Sequence, residues 1–297
     1  MSGMAKGGGL PHFMLKSVPI VTVAMSVLNG GDHLQLAVKS IVEQTFQDWE
    51  LLILDDGSTD NAIDRLHCLA DPRIIVVRDG ASKGLSARLN QAIDMARGRY
   101  FARMDHDDVS HPNRLAEQVY FLERNIHVDL VATKCVTINE QDKPVGYLPF
   151  ALNHKMICAK PWLGFPMPHP SWMGRVSWFR RHYYQDPAPY RCEDNEVLLR
   201  AHKTSIYETV DTVLLAYRVR THTPWRKLWR TRRALAVVQI KYFFEKGEHV
   251  YAALSFAAMF FRVMRDLRNE ILYRAGFLVK AKGAEISSFE WIGNTRR

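Results

Sequence analysis

The sequence has few cysteines, and their spacing excludes two common kinds of site. The four of them, Cys68, Cys135, Cys158 and Cys192, form no C-x-x-C pair. Because zinc sites and disulfide frameworks normally use paired cysteines, we expect neither. Unpaired cysteines suit a reducing compartment, and we therefore expect a cytoplasmic protein.

The sequence also lacks a hydrophobic run long enough to cross a bilayer. No apolar run of signal-peptide length follows the glycine-rich start, so residues 1–17 are predicted to be a disordered tail. The most apolar stretch, Val250 to Val263, has 14 residues, whereas a spanning helix needs ~20. This stretch predicts a buried helix, or an amphipathic helix that lies in the plane of a membrane surface.

Charge is plentiful but unevenly placed. The net charge is +9, and from Leu215 onward there are 17 Lys and Arg against 6 Asp and Glu. The preceding residues carry 23 against 25, so the basic excess lies in the C-terminal part. This asymmetry favours contact with an anionic surface, either membrane lipid or nucleic acid. A solvated face of basic helices is the alternative.

Short apolar runs alternate with segments of helical periodicity in the first half of the chain. This alternation predicts an α/β fold, with a mostly parallel sheet and helices on both faces. Basic amphipathic helices are expected beyond Pro224. The predicted strands are 20–27, 50–54, 74–77, 100–104, 205–207 and 213–219, and the predicted helices are 34–42, 62–69, 85–96, one beginning near 110–113, and 194–202.

Carboxylates gather where two predicted strands end. Asp55 and Asp56 close one strand, and Asp105, Asp107 and Asp108 close another. Ligands of such sheets bind at the carboxyl ends of the strands. Clustered carboxylates repel one another unless a cation offsets them, and a hard divalent ion can bridge them to a diphosphate. Turn formation and helix capping are the alternative for each residue alone, but two clusters at one edge favour a metal site.

Five motifs follow one another along the chain. They are V-T-V-A-M-S-V-L-N at 21–29, A-V-K-S-I-V-E-Q-T-F at 37–46, L-D-D-G-S-T-D at 54–60, M-D-H-D-D at 104–108 with P-N-R-L at 112–115, and C-E-D-N-E-V-L-L-R at 192–200. Each is weak alone, but their order is specific. From Val18 to Val219 the chain resembles glycosyltransferase family 2, the inverting group with the GT-A fold, of a bacterial cell-surface glycan type.

The resemblance implies a nucleotide-sugar site at the strand ends. Asp56 is implied as the hydrogen-bond partner of the base, usually a pyrimidine, which favours a UDP-sugar. Lys83 and Arg88 are expected to contact the base or a phosphate. The residues assigned to this site are Asn29, Asp55, Asp56, Lys83, Arg88 and Asp105.

The resemblance also implies a metal and a general base. Asp107, together with Asp105, is expected to bind Mn²⁺ or Mg²⁺ on the diphosphate. Asp194, with Glu193 beside it, is expected to deprotonate the acceptor hydroxyl, and one such base implies inversion in a single displacement. Asp194 opens a predicted helix, where the dipole favours an ionised carboxylate. An N-terminal cap is the alternative role.

The region between the metal motif and the base is expected to face the acceptor. His169, Trp172 and Arg180 are assigned to acceptor binding, because aromatic rings stack on sugars and arginine pairs with phosphate. A core position for Trp172 is the alternative. Some relatives carry a metal-binding histidine near the position of Arg220, so the displaced His222 is not expected to be a ligand. The Q-x-x-R-W motif of processive synthases is absent, which favours addition of a single sugar.

The predicted organisation is a catalytic domain between two extensions. The tail of 1–17 precedes a GT-A domain over 18–222, with a nucleotide-sugar half at 18–108 and an acceptor half at 109–222. Residues 223–297 form a helical extension, of which 225–297 would contact an anionic membrane, form a dimer interface or pack on the domain.

The predicted activity is a metal-dependent transfer of one sugar to a glycan or polyprenyl-linked acceptor. Cell-surface polysaccharide synthesis at the inner face of the cytoplasmic membrane is the expected setting. A nucleotidyltransferase and a basic nucleic-acid-binding protein are the alternatives. Nucleic acid is not expected as a partner, because the acidic strand ends would repel a phosphate backbone.

Overall fold

Four parallel strands form the first part of a central sheet. The computed structural model describes residues 18–219 and 223–275. The strands are rich in Val, Ile and Leu, and most of their side chains are buried, as in a sheet covered on both faces. They are β1 (Val21–Val27), β2 (Trp49–Asp55), β3 (Ile74–Val77) and β4 (Tyr100–Asp105), paired in the order β3-β2-β1-β4.

Two helices cover opposite faces of these strands. Helix α1 (His33–Val42) buries one apolar stripe in the cluster that contains Val23. Helix α2 (Leu85–Met95) buries its stripe in the cluster that contains the next strand residue, Ala24. Because successive strand residues point to opposite faces, the two clusters lie on either side of the sheet. The expected α/β class is confirmed.

The rest of the sheet is mixed. Its strands are β5 (Val109–Ser110), β6 (Leu130–Ile138), β7 (Pro144–Tyr147), β8 (Met173–Arg175) and β9 (Tyr207–Arg218). Strand β8 is antiparallel to β4 and β6, whereas β6 and β9 run parallel. Strand β5 pairs antiparallel with β9, and β7 with β6. The sequence predicts a mostly parallel sheet. The strands are all parallel only in the part formed by β3, β2, β1 and β4.

Six further helices are described after α2. Helices α3 and α6 match two predicted helices, and α7 and α8 form the basic C-terminal pair. The helices are α3 (Arg114–Arg124), α4 (His154–Ile157), α5 (Val176–Arg181), α6 (Glu193–Ala201), α7 (Trp225–Glu245) and α8 (His249–Arg274).

The helix predicted over 62–69 is wrong. The segment forms successive turns, held by single bonds such as Leu66 N to Ile63 O at 3.2 Å. Ala62, Ile63 and Leu66 are buried under the sheet, which explains the helix-like spacing. Asp64 Oδ1 forms a salt bridge with Arg78 Nη1 at 2.7 Å. Tertiary packing decides the backbone of so short a segment more than its apolar spacing does.

The prediction for the second half of the sheet is incomplete. The nine residues of β6 are not predicted as a strand, although they form the centre of this part of the sheet. The two short strands predicted at 205–207 and 213–219 are one strand, β9, whose register with β6 shifts near Lys134. A bulge of this kind places polar residues out of alternation and interrupts the pattern in the sequence.

Helices α7 and α8 pack on the acceptor half. Phe243 of α7 is fully buried in the main core cluster. Gln239 Nε2 donates to Pro161 O at 2.9 Å, and Arg262 Nη2 donates to Leu163 O at 2.7 Å. Trp162 stacks on Tyr251 of α8 with ring centroids 5.0 Å apart. One face of the helix pair is therefore part of the folded body.

The opposite face of α8 is apolar and exposed. Five side chains at helical spacing form what we call the α8 stripe, and two of them, Val250 and Phe261, are 72% and 70% exposed. Within the described ranges, no helix is both long and apolar enough to cross a membrane. The members of the α8 stripe are Val250, Leu254, Phe261, Met264 and Ile271.

Candidate active site

The two predicted carboxylate clusters lie at the same edge of the sheet. Val27, at the end of β1, is paired with Asp55 of β2, and its neighbour Ser26 is paired with Asp105 of β4. One strand therefore separates the clusters, a distance of about 10 Å. This arrangement at the carboxyl ends of parallel strands is the one expected from the sequence.

Asp56 is buried and accepts hydrogen bonds from the start of α2. Its Oδ1 accepts from Lys83 N at 2.7 Å, Gly84 N at 3.0 Å and Arg88 Nε at 3.1 Å. Gly84 has a φ of +89°, in the left-handed region where a side chain is strained. The carboxylate thus orders the turn before α2.

Arg88 holds Asp56 rather than facing open space. Its side chain is fully buried, and Nη2 donates to Asp79 Oδ1 at 2.7 Å. Lys83 Nζ also reaches Asp79, at 2.5 Å. Hydrogen bonds from Arg88 and Lys83 hold the pKa of Asp79 well below its usual range. Asp79 is absent from the predicted site, although the Asp-Gly turn at 79–80 is a signal for it.

The ends of β1 and β2 are tied together. Asn29 has a φ of +53°, which asparagine tolerates better than most residues. Its Oδ1 accepts from Thr59 N at 2.8 Å, and its N–H donates to Ser58 Oγ at 3.0 Å. Asp55 Oδ1 accepts from Ser58 N at 2.9 Å. Both predicted residues therefore shape this loop.

Arg103 is a buried cation beside the metal motif. Its Nη2 donates to Asp105 Oδ1 at 2.5 Å, while Nε and Nη1 have no hydrogen-bond partner among the described residues. Burial opposes its charge, but Asp105 and other acids outweigh that effect and raise the pKa of Arg103. The sequence offers a signal for it, a lone arginine inside the apolar strand Y-F-A-R-M-D.

Asp107 and Asp108 have different surroundings. Asp108 is fully buried, and its Oδ1 accepts from Arg218 N at 2.9 Å. Burial, together with Asp105 and Asp107, raises the pKa of Asp108 well above its usual range. Arg218 Nε donates to the backbone oxygen of Asp107 at 2.8 Å, so only the peptide of Asp107 is engaged there. Asp108 secures the end of β9, and the Asp107 side chain is left for another role.

The donor set fits a divalent ion held jointly with a substrate. In the described part of the chain, no three His, Cys, Asp or Glu side chains converge as a ready-made metal site. Asp105 and Asp107 supply two carboxylates, and Mg²⁺ or Mn²⁺ on a diphosphate typically takes only one or two from the protein.

Two further carboxylates open helix α6. Glu193 and Asp194 are its first residues, as expected for Asp194, and Asp194 Oδ1 accepts from Asn195 Nδ2 at 3.1 Å. Burial and the neighbouring Asp194 raise the pKa of Glu193 to about 7. Burial also raises the pKa of Asp194.

One cavity joins the end of β4 to the start of α6. It has a volume of about 620 Å³. Asp105 and Arg103 line it from β4, and Glu193 and Asp194 line it from α6. Leu228 and Thr231 of α7 form another part of the wall, as does Tyr217 of β9. The proposed metal ligand and the proposed base therefore face the same space, which is large enough for a sugar.

Of the three predicted acceptor residues, only His169 lines this cavity. Its Nε2 lies 2.8 Å from the Tyr184 hydroxyl, and its Nδ1 lies 4.0 Å from Glu193 Oε1. Burial and the charge of Arg103 hold the pKa of His169 well below its usual range. A neutral histidine here can accept or donate a hydrogen bond.

The structure places the other two assigned acceptor residues away from this cavity. Trp172 is fully buried, and its Nε1 donates to Met167 O at 3.3 Å, so its ring cannot stack on a sugar. Arg180 Nη2 donates to Ala96 O at 2.9 Å, at the end of α2, and does not line the cavity. The interpretation of His222 lies outside the described residues. The four cysteines are free.

Comparison with known proteins places the chain among glycosyltransferases. Residues 22–183 match the family described as Glycosyl transferase family 2. EpsE of Bacillus subtilis, named as a glycosyltransferase, is 33% identical over 191 residues, 63% of this chain and 68% of EpsE. The mannosyltransferase PcManGT from Pyrobaculum calidifontis, in complex with GDP-Man and Mn²⁺, shares the fold: TM-score 0.61 at 16% identity, covering 90% of this chain and 78% of that one.

A relative from Escherichia coli has a more specific name. It is WfaP, a UDP-Glc:alpha-D-GlcNAc-diphosphoundecaprenol beta-1,3-glucosyltransferase, which is 33% identical over 104 residues. The match covers 35% of this chain and 41% of WfaP. None of these matches supports a nucleotidyltransferase or a nucleic-acid-binding protein.

Proposed function

Because the chain belongs to glycosyl transferase family 2, we propose that it moves one sugar from a nucleotide sugar to an acceptor with inversion at the anomeric carbon. The observation that carries this proposal is the shared cavity, which Asp105 enters from the donor side and Asp194 from the opposite side. The name of WfaP supports a UDP-sugar as the donor and a diphosphate-linked lipid as the acceptor. Polysaccharide synthesis is the corresponding process.

The donor half would hold the nucleotide and its diphosphate. Asp56 recognises the base, in the position fixed by Arg88 and the turn before α2. Asp107 and Asp105 would hold Mn²⁺ or Mg²⁺, and the bound ion would offset the charge that develops on the departing diphosphate. Arg103 fixes the Asp105 carboxylate from the interior. Asn29 and Asp55 keep the ends of β1 and β2 in place.

The acceptor half would supply the base. Asp194 takes the proton of the acceptor hydroxyl, whose oxygen forms the new bond to the anomeric carbon as the bond to the nucleoside diphosphate breaks. A raised pKa makes this carboxylate a stronger base once ionised. His169 is proposed to orient the acceptor by a hydrogen bond, since its ring reaches the cavity. A buried glutamate with a pKa of about 7 beside it would tune the charge of the site.

Nucleotide binding tests the proposal. UDP, GDP, CDP and dTDP would each be added with and without Mn²⁺ to the wild type and to Asp107→Ala, and unfolding would be followed by thermal shift. One nucleotide at 100 times its Kd should stabilise the wild type by about 2.7 kcal/mol, and only with metal. Asp107→Ala should lose this response. Asp211→Ala, an exposed acid that pairs with Lys134, should keep it. Failure of every nucleotide to stabilise the wild type with Mn²⁺ would contradict the proposal.

We also propose that the protein works at the inner face of the cytoplasmic membrane. The α8 stripe would enter the headgroup layer, because it exposes five large apolar side chains on one face. Exposed Arg268 on α8, and Arg226 and Arg230 on α7, would meet anionic lipid. A peripheral position of this kind brings the cavity to a lipid-linked acceptor.

A further inference from the structure

A second cavity adjoins the catalytic one. It has a volume of about 580 Å³ and lies where α7 and α8 meet the acceptor half. Pro149, Phe165 and Pro166 line both cavities, and Asn195, the residue after Asp194, lines the second. The two spaces therefore share a wall, and the second opens beside the proposed base.

The lining of this second cavity is strongly basic. It contains Lys160, Arg232, Arg262 and Arg265, and no Asp or Glu is among the lining residues. Asp266 lies behind them and accepts from Arg232 Nε at 2.9 Å, with Arg265 Nη2 at 3.4 Å. A single carboxylate thus faces several cations.

Arg262 is held in place among like charges. Its Nη2 donates to Leu163 O at 2.7 Å, so its guanidinium is anchored to the backbone of the acceptor half. Burial and the charges of Arg232 and Arg265 lower the pKa of Arg262. Cations gathered around one counter-ion form a site that an anion would stabilise.

We propose that this basic cavity binds the diphosphate of a lipid-linked acceptor. The inference rests on the proposed function and names a site for one part of the acceptor. The sugar attached to the diphosphate would extend past the shared wall into the catalytic cavity. The hydrocarbon chain would leave along the α8 stripe, because Phe261 of the stripe lies one helical turn before Arg265, which lines the cavity. Arginine suits this role through paired hydrogen bonds to phosphate oxygens.

Farnesyl diphosphate is a soluble probe that carries both the diphosphate and an isoprenoid chain. Its binding to the full chain would be measured by calorimetry in EDTA, so that no metal recruits it to the donor side. The double variant Lys160→Gln/Arg265→Gln changes two exposed side chains of the cavity and should bind at least roughly tenfold more weakly. The control Lys241→Gln/Lys246→Gln removes the same charge from two exposed positions at the C-terminal end of α7, outside the cavity, and should bind within about twofold of the wild type.

Three results with farnesyl diphosphate would overturn the proposal. They are an absence of farnesyl diphosphate binding by the wild type, an unchanged affinity in the cavity variant, and an equal loss in both double variants. Inorganic pyrophosphate and anionic vesicles separate the sources of the phosphate. Loss of vesicle binding alone, with both diphosphates still bound, would assign these cations to lipid headgroups and also overturn it. Binding of UDP with Mn²⁺ should be unchanged in the cavity variant, which separates this test from that of the donor site.

Discussion

The side chains at the candidate site are of two kinds: some hold other residues of the site in place, and others line the cavity. Arg88 and Asp108 are fully buried and hold other residues, whereas Asp194 and Glu193 line the cavity. Buried ionised groups need a partner, and removing one partner leaves the other uncompensated. Substitution of a supporting residue is therefore expected to affect folding first, and substitution of a lining residue to affect turnover.

The Asp194→Asn variant tests the proposed base. We expect it to fold and to bind donor like the wild type, because asparagine keeps the shape and the contact with Asn195. Its kcat should fall by about 10² to 10⁴, the usual contribution of a general base. Single-turnover transfer from the donor found by the nucleotide panel would measure the loss. Near-normal transfer would exclude Asp194 as the base. A loss of turnover that is explained by a lower free energy of unfolding would indicate that Asp194 only stabilises the start of α6.

Glu193 should make stability depend on pH. Its pKa is raised from 4.5 to about 7 in the fold, so the folded state binds the proton more tightly than the unfolded chain. This contribution to stability is present below about pH 4.5 and is lost as the pH rises through about 7. Glu193→Gln cannot ionise, and relative to the wild type it should gain about 1 to 3 kcal/mol between pH 5 and pH 8.

Urea unfolding in EDTA at the two pH values would measure this gain. The exposed change Glu117→Gln on α3 is the matched control. A pH-independent difference between wild type and Glu193→Gln would show that the raised pKa has no consequence for folding.

Individual elements differ in how far their sequence predicts them. Strands β1 to β4 are continuous apolar runs with polar turns, and their bounds differ from prediction by two residues or fewer. Strand β6 is as buried as they are, but threonines and a lysine interrupt its run and hide its type. The segment 62–69 has helical spacing without helical hydrogen bonds. The spacing of apolar residues thus predicts which residues are buried. Whether they form a strand, a helix or turns depends on the elements that pack against them.

The residues of the candidate site also differ in how far the sequence predicts them. Carboxylates that follow strands or open a helix can be found from their positions in sequence, and the structure brings Asp105 and Asp194 to one cavity. The burial of a single side chain cannot be predicted from its position in the sequence in the same way. The motif H-P-S-W suggests that Trp172 faces the acceptor, but the structure shows a core residue. The cations of the second cavity come from three separate segments, at Lys160, at Arg232 and at 262–265, and only tertiary contacts bring these segments together.

At the scale of the whole molecule, the catalytic and basic parts form one body. Helices α7 and α8 are anchored at Pro161 and Leu163, and residues of α7 line the catalytic cavity. The outward α8 stripe and the surrounding arginines lie on this same body. Contact with a membrane through α8 would therefore hold the cavity at a fixed height above the lipid.

Vesicle flotation tests this orientation. The wild type should float with vesicles that contain anionic lipid, and increasing salt should weaken the association because surface charges are screened. Phe261→Asp with Val250→Asp should reduce the bound fraction several-fold, since a charge in the headgroup layer opposes insertion. Ile126→Asp, a change at an exposed apolar residue far from the α8 stripe in sequence, is the control. Equal binding to neutral and anionic vesicles, or equal loss in the control, would contradict membrane contact through α8.

The wall contributed by Leu228 and Thr231 has a consequence for how such enzymes diversify. The family match ends at residue 183, so Leu228 and Thr231 lie outside the residues that the family description covers. We expect the α7 wall to differ between members of the family more than the donor side does. A chimera that receives α7 and α8 from a relative would inherit that relative's choice of acceptor, and recombination after β9 would be a simple route to a new glycan.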